Sequence, residues 1–489
     1  MNGQTWFRKL KTRFAQPSNE EIISGDVYPV LFKLAWPMMI TTLLNTTYNL
    51  VDALWLGRLP YPENTLSVGA VSIAWPFLFL LLSFEVGIGL AAIAIISQYT
   101  GAKDYDEATN YTGQMFFLFT VLSIIIGAVA FFITEDFLNL LTGGGEMVPY
   151  AVDYLKILYL GIPGLMIFTA FSFSLRSFGD TLTPLKVMSV SVVINMILDP
   201  LLIFGMGPFP SMGIRGAALG TIIARYVSMS IALYLIFGGK VGIKLKLSHL
   251  KPHFGRWKKI LSIGIPAGIA RAEEAFGLVV ITGLLAMMPY QEEVLAAYGI
   301  GNRLINITYI VLMGSMLSTG TMVGQALGAN RKARAQEIVK KTTMFMLYFL
   351  LITSAIFILF HRPIMSFFIP GDDMVIDIGS KFLIIMALSM PFTAIYESMS
   401  GALFGSGHTV QQFSLSVTRL WALRIPMMLS FGFGLMLYST GAWIAIALSN
   451  IGAGLLALWI YKMGWWKAKV IDKQPGARAK KLLKRLRRR

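Results

Sequence analysis

Three polar side chains fall where bilayer-spanning sequence ordinarily excludes them. Asp52 lies in the second half of an apolar run that begins near Val30, with no cation within five residues on either side. Asn195 and Asp199 stand four residues apart in another such run, so a helix stacks them on one face. Pro200 follows at once, and because proline cannot complete the helical ladder it frees the carbonyl of Met196 beside the pair. Two carboxylates, an amide oxygen and a free carbonyl make an oxygen site for a small hard cation, or a place to hold a proton. A carboxylate at the centre of a span costs about 2.5–3.5 kcal/mol, so such groups face a bundle interior and serve function. Counting back by helical steps, Tyr48 and Asn45 share the Asp52 face, and Leu50, Ala53 and Leu54 form the opposite one. The alternative for Asp52 is an interfacial carboxylate solvated near Arg58; for Asp199 it is a purely structural polar pair.

The elements that must position these groups are membrane helices. Of 489 residues 55% are apolar and 14% charged, against roughly a quarter charged in a soluble domain, and the mean hydropathy is +0.66. Runs long enough to span fall at residues 30–56, 68–97, 112–133, 149–171, 186–204 and 216–237, then at 260–288, 295–325, 342–360, 379–403, 413–437 and 442–461. The expected fold is an all-α polytopic membrane protein of twelve helices. Cations gather before the first run, between the sixth and seventh (Lys240 to Lys259) and after the last, where eleven Lys or Arg follow from Lys467 onward. All three belong on the cytoplasmic side, which requires an even number of spans in each half and places the protein in the cell (inner) membrane with both termini cytoplasmic. No cleavable signal pattern precedes Val30, so the first span is expected to serve as its own insertion signal.

Several function classes drop out. The net charge of +17 and the run "RAKKLLKRLRRR" invite a nucleic-acid reading, but the run follows a span on the side of anionic headgroups, so anionic lipid is the expected partner and nucleic acid is not. Trp6, Phe7, Leu10 and Phe14 fall at helical spacing among cations, as an interfacial helix would; a plain tail fits as well. There is no cysteine, and His249, His253, His361 and His408 all fall in expected loops. No Ser/His/Asp set lies in a span and no GxxxxGK[ST] loop occurs. Hydrolytic chemistry and ATP-driven transport are therefore not expected, and the chain is not read as an enzyme.

The sequence also repeats. "QYTGAKDYDEA" at Gln98 matches "QALGANRKARA" at Gln325, "KLAWPMMI" at Lys33 matches "SIGIPAGI" at Ser262, and "RSFGDT" at Arg176 resembles "FGSGHT" at Phe404, at offsets of 225 to 229 residues throughout. With six spans in each copy the repeats run parallel, as in transporters whose halves flank a central cavity. The expected organisation is a tail at 1–25, six-helix bundles at 26–238 and 260–462, a basic linker at 239–259 and a polybasic tail at 463–489. In repeat register Asp52 falls among Val279, Val280 and Ile281, and Asp199 near Ile425, so the second half lacks both acids. It carries Glu273, Glu274 and Glu397 instead, which serve either a second ion site or pairing with Arg271, Arg419 or Arg424. For the cavity, 27 methionines and 12% aromatics suit an adaptable surface; the candidate lining residues are Met38, Asn45, Tyr48, Tyr154 and Ser172.

The order of "LAWP…VD…WLGRL", the "SQ…GA" and "GQ…GA" helix ends, the "SFGDT" and "GSGHT" loops and "NMILDPLLIFG" resembles the multidrug and toxic compound extrusion (MATE) family, nearest its archaeal and DinF-like branch, over nearly all of residues 26–461. The resemblance implies two six-helix bundles in a V, exporting organic, often cationic, compounds in exchange for H+ or Na+. It adds Thr221 as a hydroxyl partner of Asp52, Asn195 and Asp199 at a proton or Na+ site. Flippases of lipid-linked precursors or polysaccharides share the broader superfamily and are the alternative. Some sodium-coupled members carry acids in the seventh and tenth helices, an Asp in the tenth, so Glu397 departs from that pattern. A monomer with no cofactor beyond the coupling ion is expected.

Overall fold

The computed structural model describes residues 16–471; the proposed interfacial helix and the polybasic run lie outside them. Twelve helical segments follow one another. The first six are α1 (Val27–Leu56), α2 (Glu63–Gly101), α3 (Tyr105–Thr142), α4 (Met147–Leu160 and Ile162–Phe178), α5 (Leu182–Phe204) and α6 (Gly213–Phe237). The second six are α7 (Phe254–Ala286), α8 (Gln291–Gly328), α9 (Lys332–Phe368), α10 (Asp373–Ser406), α11 (Thr409–Val417 continuing through Leu429–Gly434) and α12 (Tyr438–Met463). Among the described residues no strand occurs. Among the described residues nine helices are long and apolar enough to cross a membrane unaided, and the bent α4 makes a tenth. The other two carry partly buried charges: α7 has Arg271, Glu273 and Glu274, and α11 has Arg419 and Arg424.

Helix irregularities have local causes. α4 bends by 50° at Gly161, where Pro163 opens the second segment, and the missing Cβ lets Ile222 of α6 approach. Phe360 leaves helical geometry in α9 (φ −117°, ψ 20°) three residues before Pro363, whose ring cannot accept a regular preceding turn. His361 therefore sits inside a helix, not in the expected loop, because the kinked segment resumes helical pairing up to Phe368. In α11 the backbone widens to π turns at Thr418–Arg424 and Leu429–Gly434, on either side of Pro426. The equivalent α5 stays α-helical through Pro200.

The halves meet along a seam at the end of the molecule that carries the interhelical linker. Gly264 and Gly268 of α7 lie against Phe84, Gly87 and Ile88 of α2, and Gly314 of α8 against Ala35 and Met39 of α1. The two repeated helix ends cross, so that a Cβ on Gly101 would overlap the Gln325 carbonyl and one on Gly328 the Gln98 carbonyl. Gln98 Nε2 donates to the carbonyls of Gly405 (3.1 Å) and Ser406 (3.2 Å) in the second half. Gln325 Nε2 donates to that of Ser177 (3.0 Å) in the first.

Two further segments tie this basic end. The turn Asn19–Ser24, capped by Ser18 and Glu21, buries Ile22 completely and offers the Gly25 carbonyl to Arg334 of α9. Lys33 donates to Glu21 across 2.9 Å and holds its carboxyl below the usual range. After α12, Val470 and Ile471 donate their amides to Gln98 Oε1 (3.0 and 3.4 Å), with Trp466 wholly buried. The linker docks on α3, where Gln114 Nε2 donates to the carbonyls of His249 and Lys251, each at 2.8 Å.

Candidate functional site

The first half brings Asp52, Asn195, Asp199 and Thr221 to one place. On α5 the four-residue spacing lets Asn195 Nδ2 donate to Asp199 Oδ1 at 2.8 Å. Gly220 of α6 lies directly against Asp199 Oδ1, so that a Cβ would stand 2.6 Å from it, and the close approach brings Thr221 alongside. Ser191 Oγ clips the same two helices together by donating to the Ala224 carbonyl at 2.8 Å. From α1, Asp52 faces Asp199 and Thr221, and the Tyr48 hydroxyl turns toward Thr221. Burial is nearly complete: Asn195 and Asp199 are 0% exposed, Thr221 2% and Asp52 6%. The interfacial alternative for Asp52 does not describe this structure.

Among the described residues five polar atoms at this point have no hydrogen-bond partner: the Tyr48 hydroxyl, Asp52 Oδ1, Asn195 Oδ1, Asp199 Oδ2 and Thr221 Oγ1. Leaving buried polar atoms unpaired costs about 1–3 kcal/mol each, more when charged, and a fold retains them where something else supplies the contact. Two carboxylates, an amide oxygen and hydroxyls match a proton or a hard monovalent cation. Among the described residues no cluster of three or more His, Cys, Asp or Glu forms a metal-binding group.

The sequence reading misses two members of this neighbourhood. Arg225, one turn beyond Thr221 on α6, is the cation whose field reaches Asp52. Glu85 of α2, 3% exposed, meets Thr169 of α4 with Arg225 near it. Its lone charge in an apolar run is the same signal that singles out Asp52, but no polar residue stands one turn away on its own helix.

The candidate lining residues scatter. Tyr154 (6% exposed) and Ser172 (4%) are buried in the first-half bundle, and Met38 (2%) packs across the seam, its sulfur 3.8 Å from Ser318 Oγ. Tyr48 is half-buried and Asn45 exposed. Burial follows from packing: the α1 segment holding Met38 is clamped between halves, while the segment holding Asn45 lies beyond the seam.

In the second half the charges meet one another. Glu274 accepts from Arg271 at 3.1 Å and from Arg419 at 2.9 Å. Glu273 accepts from Ser416 at 2.7 Å, and Glu397 lies in the field of the same two guanidiniums. Arg424 donates to Ser449 and Asn450 at 2.9 and 2.6 Å.

Comparison with known proteins points one way. Residues 37–201 and 266–429 match the MatE family model, one segment in each half. The chain is 28% identical to the probable multidrug resistance protein YpnP of Bacillus subtilis, covering 92% of this chain and 98% of that one. It is also 28% identical to the probable multidrug resistance protein NorM of Thermotoga maritima, over 91% and 94%. The fold superposes on a solved MOP superfamily transporter from Pyrococcus furiosus with a TM-score of 0.82, at 20% identity over 92% of this chain and 98% of that one.

Proposed function

From a chain that belongs to the MatE family and folds as an integral membrane transporter, we propose a secondary antiporter that exports organic, often cationic, compounds in exchange for H+ or Na+. The observation that carries the exchange is the buried pair Asp52 and Asp199 with its unpartnered oxygens. Asn195 and Thr221 complete the coupling site, and the ion that fills it supplies the contacts the protein withholds. With the basic end on the cytoplasmic side of the cell membrane, the closed seam makes this arrangement outward-facing. Ion binding from outside neutralises the carboxylates and loosens the substrate; release inside resets the site. Because coupling is reciprocal, each ligand weakens the other. One charge moving through 100 mV supplies about 2.3 kcal/mol, enough for roughly fifty-fold accumulation.

The test is purified protein in liposomes with Na+ and H+ gradients imposed separately, read by movement of a cationic dye. Uphill movement driven by one gradient is expected. Movement indifferent to both would overturn the antiport. Labelling of Ser248→Cys by an impermeant thiol reagent in intact cells would overturn the orientation.

A further inference from the structure

The ion-exchange reading leaves the second-half guanidiniums unused. Arg271 lies on the α7 stripe that carries Gly264 and Gly268, spaced by four and then three residues. Those glycines face α2 across the seam, so Arg271 is the first charged group on that stripe beyond the closed end. Its side chain is 20% exposed and that of Glu274 32%. Charged groups at this depth do not face lipid, so the exposed part of these side chains faces a water-accessible interior of the protein.

The guanidiniums are held in place but incompletely used. Arg419 stacks over Tyr396 at 4.3 Å and Arg271 over Phe404 at 5.9 Å, which fixes their planes. Both share the single carboxylate of Glu274. Among the described residues the buried Nε atoms of Arg271 and Arg419 have no hydrogen-bond partner, and Arg271 Nη2 meets the sulfurs of Met313 and Met316 at 3.8 Å. A closed structural ion pair satisfies its donors; this one leaves two guanidinium forks incompletely used and partly exposed, 20% for Arg271 and 11% for Arg419, which suits the oxygens of a carboxylate or phosphate.

We propose that Arg271 and Arg419 form a substrate subsite that takes the carboxylate or phosphate of the transported molecule. The proposal rests on the transporter reading and narrows its substrate class to organic compounds that carry an oxyanion, with or without a cationic centre. Glu397, in the field of the same guanidiniums, competes with that oxyanion.

A rhodamine with a free carboxylate and its methyl ester differ at the one group in question. Binding of both to the purified full chain, followed by fluorescence polarisation, is expected to favour the acid in the wild type. Arg271→Gln lowers that preference by about tenfold or more, the scale of one lost charge-assisted hydrogen bond. Arg271→Lys keeps the charge but not the fork and falls between, and Glu397→Gln raises the preference. A wild type that binds acid and ester alike, or an Arg271→Gln protein that stays monodisperse with the preference intact, overturns the subsite. Equal loss of both dyes assigns Arg271 to structure and overturns it too. Gradient-driven transport of either dye, as distinct from the preference for acid over ester, reports on antiport separately, so the two readings fail independently.

Discussion

The two halves share a fold and a seam yet bury opposite chemistry. In the first, Asp52 and Asp199 face each other and, among the described residues, neither forms an ion pair. In the second, Glu274 is held between two arginines. A repeat that keeps its order of helices but exchanges its charges shows that these acids are not a requirement of the shared fold. Where the counter-charge is built into the chain, a carboxylate is a fixture; where it is absent, the carboxylate can take an exchangeable cation.

The sharpest way to break this comparison is Asp199→Asn, which keeps shape and the Asn195 contact while removing the titratable charge. Uphill dye movement should fall to background, a loss of the roughly fifty-fold accumulation that one charge supports, because an ion without differential affinity for two states shifts nothing. Substrate binding should persist. Glu397→Gln should retain most of the activity. Wild-type transport by Asp199→Asn with its ion dependence intact would move the coupling site to the second half.

Stability should divide the halves in the opposite sense. Glu274→Gln leaves two guanidiniums without their shared carboxylate. Breaking a buried pair from one side costs about 3–5 kcal/mol, and partial exposure of Glu274 (32%) reduces that to about 2 kcal/mol. Asp52→Asn removes a charge that has no ion-pair partner and should cost less than about 1 kcal/mol or stabilise. Apparent Tm in detergent orders the two; a larger drop for Asp52→Asn would reverse the assignment of fixture and exchanger.

How much of this was legible in sequence follows from what sequence periodicity can carry. The twelve spans, the repeat and the Asn195–Asp199 face rest on local spacing, and the structure has them. The meeting of α1, α5 and α6 around Asp52 is tertiary, and Thr221 came only through family resemblance. Glu85 is invisible to a rule that looks for partners on the same helix, since its partner is Thr169 on α4. Of the second-half glutamates, Glu274 shows its arginine pairing only when α7 and α11 are side by side, which puts Arg419 on it, while Glu273 meets Ser416. Cavity-lining residues were the least legible, because methionine and tyrosine in a span pack far more often than they line.

The seam offers the smallest and most exacting comparison. Gln98 and Gln325 are equivalent by repeat, and each reaches across to the opposite half. Gln98 does more: it donates to two carbonyls and its Oε1 accepts from Val470 and Ile471, whereas Gln325 Oε1 has no partner. At about 0.5–1.5 kcal/mol net per hydrogen bond, Gln98→Ala should weaken the closed seam by about 2 kcal/mol and Gln325→Ala by about 1. That corresponds to roughly thirty-fold and fivefold rises in the population open at the basic end. The natural absence of cysteine makes paired labels straightforward, and distance distributions between labels at Lys103 and Lys332 would read both variants. Equal shifts would mean that the segment after α12 contributes nothing to closure. A larger shift for Gln98→Ala is the summed effect of its second carbonyl contact, to Ser406, and of the two amides after α12 that its Oε1 accepts from.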